Sequence, residues 1–211
     1  MKVYFYHTQD IAYIRKRMEK GEFPAHFLYG ATGLPANGIE VVWHRSRLGL
    51  PRWRMMLRNA WLILTSREHF DAVYATHYRG LELIVLLRAL RLFRRPVVIW
   101  HHQPVITSPS MWRERFGRLF YRGFDRMIFF SQKLIDDSLR SPKARPERLV
   151  LGHWGADLRF YDRVMAAGTH ERTGFISTGK ELRDMPTLVK AFNRTGARLD
   201  IYTGRNTGGV N

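Results

Sequence analysis

The chain has 211 residues, no cysteine and a formal net charge of +17. The missing cysteines exclude disulfides and thiolate metal sites. The charge predicts an anionic partner, whether nucleic acid, an acidic membrane surface or a phosphorylated ligand. The length suits one full α/β domain and part of another. The longest apolar run, Leu81 to Phe93, is interrupted by Glu82, Arg88 and Arg91, so it is too short and too charged to span a bilayer. Met1–Tyr6 enters a strand directly and lacks a secretory leader pattern. A soluble or peripheral protein of a reducing compartment is expected.

Lys2–Tyr6 reads as a buried first strand, with His7-Thr8-Gln9 at its carboxyl end, where open α/β sheets hold ligands. Residues 10–22 suit a loop or a short basic helix, which Phe23-Pro24 would break. His26 to Asn37 is expected to be helical, against the pull of Gly30, Gly33 and Pro35. Gly38 ends it, and Ile39–Trp43 is the second strand.

Arg45 to Arg67 carries six arginines and no acid, with Trp53, Met56, Leu57, Ala60, Trp61 and Leu64 at helical spacing. Such a helix suits either an anionic membrane surface or a core-facing role with a solvated polar side. Asp71–Thr76 is the third strand, followed by His77. Gly80 to Phe93 is an apolar helix, closed by Arg94-Arg95 and stopped by Pro96. Val97–Trp100 is a continuous apolar run, the mark of a central parallel strand.

His101 and His102 follow that run. Neighbours on a strand face opposite ways, so one metal cannot easily take both, and none is predicted. Ser110 to Phe124 repeats the basic aromatic pattern. Arg126–Ser131, Lys133–Leu139 and Leu149–Leu151 then read as strand, helix and strand.

The stretch from Gly174 to Phe192 starts as a short apolar strand and turns at Thr178-Gly179. Lys180 and Arg183 flank the next turn, and Asp184 and Pro186 suit a helix start. A second run, Leu199–Thr203, closes the unit. This is either an anion site or an ordinary βαβ connection with solvated charges.

In element order this sequence resembles the family 4 retaining glycosyltransferases of GT-B architecture. The frames that carry the likeness are Leu34-Pro-Ala-Asn-Gly38, the strand from Pro96 to the histidine pair, Trp154-Gly155-Ala156-Asp157 with Phe160, and Thr178-Gly179-Lys180 with Arg183 and Ala191-Phe192. The likeness implies two Rossmann-like domains, with residues 1–157 on the acceptor side, a linker over 158–172, and an incomplete donor unit over 173–211. It implies transfer of a sugar, with retention, from a nucleotide-diphosphate sugar to a glycan or lipid-linked acceptor, or to a surface polysaccharide. His102 would face the transferred sugar. Gly179, Lys180 and Arg183 would hold the donor diphosphate. Gly21, His26, His77 and His101 are the acceptor-side candidates.

The family's double glycine is absent near Gly21, and tryptophan stands at 154 where the family has asparagine. No cofactor beyond the donor co-substrate and no metal is expected. The expected location is cytoplasmic, free or peripheral on the inner face of the cell membrane. Only 54 residues follow Asp157 (211 − 157), so little transfer is expected from residues 1–211 alone. Two other readings stand beside this one: a basic nucleic-acid-binding protein and a non-catalytic membrane-associated Rossmann domain. Neither a Gly-x-Gly-x-x-Gly nor a Walker A sequence occurs, and no nucleic-acid motif is recognisable.

Overall fold

Six parallel strands carry the larger part of the molecule. The computed structural model describes residues 1–168, 173–178 and 184–202, and the chain divides into two units, Met1–Arg163 and Val164–Asn211. The strands of the first unit are β1 (Lys2–Tyr6), β2 (Glu40–Trp43), β3 (Ala72–Ala75), β4 (Val97–His101), β5 (Arg126–Phe129) and β6 (Leu149–Leu151). They pair in parallel in the order β2-β1-β3-β4-β5-β6. The fold is α/β and Rossmann-like, with helices on both faces of the sheet.

The pleat sorts the strand residues between those faces. Tyr4, Tyr6, Val73, Ile99, Met127 and Phe129 point to one side. There they meet α2 (Arg52–Leu64), α3 (Glu82–Ala89), α4 (Met111–Tyr121) and α5 (Gln132–Leu139), through Ala60, Ile63, Ile84, Val85 and Ile135 among others. Phe5, Val41, Trp43 and Tyr74 point to the other side. Ile11 and Ile14 of α1 (Ile11–Glu19) cover them, together with Leu28 and Ala31. Asp10 caps α1 by accepting from the Tyr13 amide, and Ser131 caps α5 by accepting from Leu134.

The helix expected over 26–37 is replaced by three short 3-10 turns, at Ala25–Leu28, Ala31–Gly33 and Pro35–Asn37. Tyr29 and Gly30, between the first two turns, and Gly38, after the third, have positive φ, which breaks an α-helical ladder at those points. Residues 10–22 resolve in favour of a helix. The interval 158–172 contains α6 (Leu158–Ala167), and the division between the two units falls inside that helix.

Asp125 pins the amino edge of the sheet. Its carboxylate takes two hydrogen bonds from Arg88 of α3, at 2.6 and 2.9 Å, and one from the Val97 amide of β4 at 2.8 Å. Burial pushes its pKa up, but the Arg88 and Val97 bonds outweigh this and hold it below the usual value.

The second unit contains β7 (Phe175–Thr178), α7 (Met185–Thr195) and β8 (Leu199–Tyr202). The two strands pair in parallel from Phe175↔Leu199 to Thr178↔Tyr202. Asp184 caps α7 by accepting from Thr187, and Gly196 ends it at φ +65°. Phe175 and Phe192 meet edge to face at 5.3 Å. None of the described residues of this unit is fully buried. No described helix in the chain is long and apolar enough to cross a membrane.

Candidate functional site

The connections leaving β1 and entering β3 run in opposite directions across the sheet. This makes the crevice beyond the carboxyl ends of those two strands the topological switch point, the favoured ligand position in open α/β sheets. A cleft of about 370 Å³ opens there, lined by His7, Gln9, His26, Tyr29, His102 and Trp154 among others. A second cleft of about 450 Å³ lies next to it, against Tyr78, His101, Tyr121 and Lys143. His77 and His102 line both clefts, and their rings are 5.7 Å apart.

The pleat of β4 separates the histidine pair. His101 is buried. Its Nδ1 lies 2.6 Å from the Gln103 carbonyl and its Nε2 3.2 Å from the Tyr121 hydroxyl. A carbonyl only accepts, so Nδ1 carries the proton and Tyr121 donates to Nε2. Burial lowers the pKa of His101. His102 is exposed, and its Nε2 donates to the Thr76 carbonyl at 2.8 Å. That bond fixes the tautomer and leaves the Nδ1 lone pair as an acceptor on an exposed ring beside the cleft.

The neighbouring histidines are held neutral. His7 accepts from the Gln9 amide through Nδ1, and His77 accepts from the Arg79 amide in the same way, both at 2.8 Å. Burial, aided by the adjoining histidines, lowers each to about 4. Near neutral pH His7 and His77 therefore offer ring N–H donors and carry little charge.

A buried polar chain sets the loop that carries His77. Tyr4 donates to His44 Nδ1, and His44 Nε2 donates to Asn59 Oδ1. The Asn59 amide donates to the Tyr6 hydroxyl and the Gly80 carbonyl, and Tyr6 donates to the Arg79 carbonyl. Each member finds a partner, as buried polar groups must. Gly80 sits at φ +87°, and a Cβ there would collide with the Tyr6 hydroxyl. No larger residue fits at that position without displacing the chain.

Tyr29 roofs the switch point. Its backbone is left-handed at φ 50°, a rare state for a bulky residue that the surroundings must impose. Trp100 Nε1 donates to the Tyr74 hydroxyl at 2.6 Å, and Tyr74 donates to the Tyr29 carbonyl. The Tyr29 ring then lies 5.8 Å from both His7 and His102. Asp157 closes the far wall. Its carboxylate accepts from Ala25 at 2.9 Å and from Phe160 at 3.1 Å, and its own amide donates to His26 Nδ1. His26 and Trp154 meet edge to face at 4.8 Å.

Among the residues singled out in the sequence, His26, His77 and His102 line the switch-point cleft, and His101 backs onto the second one. Gly21 lines neither. Its φ of +71° ends α1, and its amide bonds back to Met18. Gly179, Lys180 and Arg183 lie outside the described residues. Sequence reasoning did not single out Tyr29, or the joint role of Asp157 as helix cap and tie to Ala25. The signal for Asp157 was the family frame ending at that residue. Tyr29 carried none. Among the described residues no three of His, Asp or Glu gather as a metal site.

No family model matches this chain. No curated protein matches it either. Among solved structures it is similar to a C2-type ketoreductase from a modular polyketide synthase. That match has 13% identity and a TM-score of 0.32, and covers 99% of this chain and 52% of the other. The chain thus spans about half the length of that structure, and at such a score the likeness says nothing about chemistry.

Proposed function

We propose that the switch-point cleft is the acceptor-side half of a retaining glycosyltransferase site. The observation that carries this reading is His102, anchored by its Nε2 at the carboxyl end of a central strand. Its Nδ1 is suited to accept a hydrogen bond from a sugar hydroxyl. The family frames along the sequence supply the reaction class. The bond between the anomeric carbon and the nucleoside diphosphate breaks, an acceptor hydroxyl oxygen bonds to that carbon, and the hydroxyl proton passes to the departing diphosphate. The neutral rings of His7 and His77 add donors without adding charge, which suits a sugar better than a phosphate. Gly179, Lys180 and Arg183 are proposed, from the resemblance alone, to take the donor diphosphate.

The test uses the full chain with labelled histidine. Nucleotide-diphosphate sugars and oligosaccharides are titrated while the imidazole resonances and product release are followed. The expected result is a saturable shift of His102 and His77 signals by a saccharide, with the His77 shift lost in His102→Ala. Shifts by nucleic acid alone, or none by any saccharide, would overturn the reading. Where transfer is measurable, His102→Ala is expected to lower it on the order of 100-fold with the fold intact.

A further inference from the structure

Three helices of the first unit carry an apolar outer surface that the core does not use. On α2, Trp53, Leu57, Trp61 and Leu64 are exposed, the two tryptophans at 57% and 67%. Helical spacing gathers them on one flank. Arg58 occupies the other flank and donates to the Arg45 carbonyl just beyond β2, at the edge of the sheet. The apolar flank is therefore the one beside α3, which packs between α2 and α4. Leu86 and Leu90 lie on the outer side of α3, with Leu83 beside them packed in part against the core, and Leu92 follows, exposed. On α4, Glu114 is tied to Lys143, which precedes β6. The opposite flank, with Trp112 at 73% exposure and Phe116 at 58%, leans toward α3. Two tryptophan-bearing flanks thus border a row of leucines.

The charges complete the pattern. The three helices hold seven arginines and two glutamates. Glu82 is engaged with Arg52, Glu114 with Lys143 and Arg118, and Arg88 with Asp125, which leaves Arg54, Arg58, Arg113 and Arg115 to meet an outside anion. Arg54 lies over the Trp53 ring at 5.0 Å and Arg115 over Trp112 at 5.8 Å. Exposed indole with guanidinium at the rim of an apolar strip is the chemistry of a membrane–water interface.

We propose that the α2–α3–α4 face docks on an anionic lipid bilayer. The tryptophans sit at headgroup depth, the leucine row meets the acyl boundary, and the arginines pair with lipid phosphates. The helices then lie along the bilayer, and the carboxyl-edge clefts open sideways, parallel to the membrane surface. This surface is independent of the glycosyl-transfer reading and stands if that reading fails.

The test takes the full chain with phosphatidylcholine vesicles, with and without phosphatidylglycerol, and with brominated acyl chains as quenchers of tryptophan emission. Binding to the anionic vesicles only is expected, with quenching that disappears when Trp53, Trp61 and Trp112 are all changed to phenylalanine. Arg54→Glu with Arg115→Glu should weaken binding roughly tenfold or more. These side chains are exposed, and circular dichroism checks that each variant is folded. If a variant does not fold, quenching of the unaltered chain decides. Absent binding, equal binding to both vesicles, salt-reversible adsorption without quenching, or a lipid-independent dimer that buries the same tryptophans would each overturn the proposal.

Discussion

Two of the strand–helix–strand units, β4–α4–β5 and β7–α7–β8, share one local pattern and have opposite outcomes. In β4–α4–β5, Val97, Ile99, Met127 and Phe129 are almost wholly buried. In β7–α7–β8 the pairing is as regular, and α7 is capped at both ends. Yet Phe175 and Ile176 stay 58% and 67% exposed. Pairing and capping satisfy backbone groups, but they stabilise little without buried apolar area. The six-stranded sheet supplies two covered faces to its central strands. The described part of the two-stranded sheet offers its rings mainly one another.

The largest effect that could break this contrast is a ring deletion on each side. Phe129→Ala is expected to cost about 3–5 kcal/mol, whereas Phe175→Ala should cost under about 1 kcal/mol. Urea unfolding of both variants measures it, and equal losses would mean that the second unit buries its ring.

Acid comes next, and its larger effect should fall on the first unit. His7, His44 and His77 each fall from 6.5 to about 4 on folding, chiefly through burial. Their neutral forms favour the folded state, so that stability is full above about pH 6.5 and is lost as pH falls toward about 4. For a ring as enclosed as His44 the loss is on the order of 3 kcal/mol at the bottom of the window. Unfolding midpoints taken across that window should fall steadily. A flat profile would show the rings to be solvated.

Asp125→Asn should cost about 1.5–3 kcal/mol, since it weakens a bidentate charged pair and the bond to Val97. The smallest comparison lies in the caps. Ser131→Ala should lower the main unfolding transition by about 1 kcal/mol. Asp184→Ala should leave that transition in place and reduce only the helicity of α7. A shift of the main transition by Asp184→Ala would tie the two units into one cooperative body.

The strands were legible because parallel strands buried on both faces read as apolar runs, as Val97–Trp100 does. Adjacent histidines were known to face apart, but the direction of each depends on which sheet face the helices cover. The structure turns His101 inward and His102 outward. The same limit held for α2. Spacing placed Ala60 and Trp61 in one apolar set, and packing divides them, Ala60 to the core and Trp61 to solvent. The 26–37 segment misled because its apolar residues serve the α1 face through separate turns. Tyr29 was invisible because a left-handed tyrosine is imposed by distant partners, Tyr74 and Trp100.

The interior place of β1 also has a consequence in time. Of the six strands it is made before the others, and while one edge can take β2 the other waits for β3. At ordinary synthesis rates the segment between β2 and β3 takes a few seconds to emerge. Through that interval Lys2–Tyr6 offers an unpaired apolar edge, the kind that other nascent chains can extend. The segment made in those seconds is the one with six arginines and no acid. Charge of one sign in the segment that flanks an open apolar edge disfavours its pairing with another copy at close range.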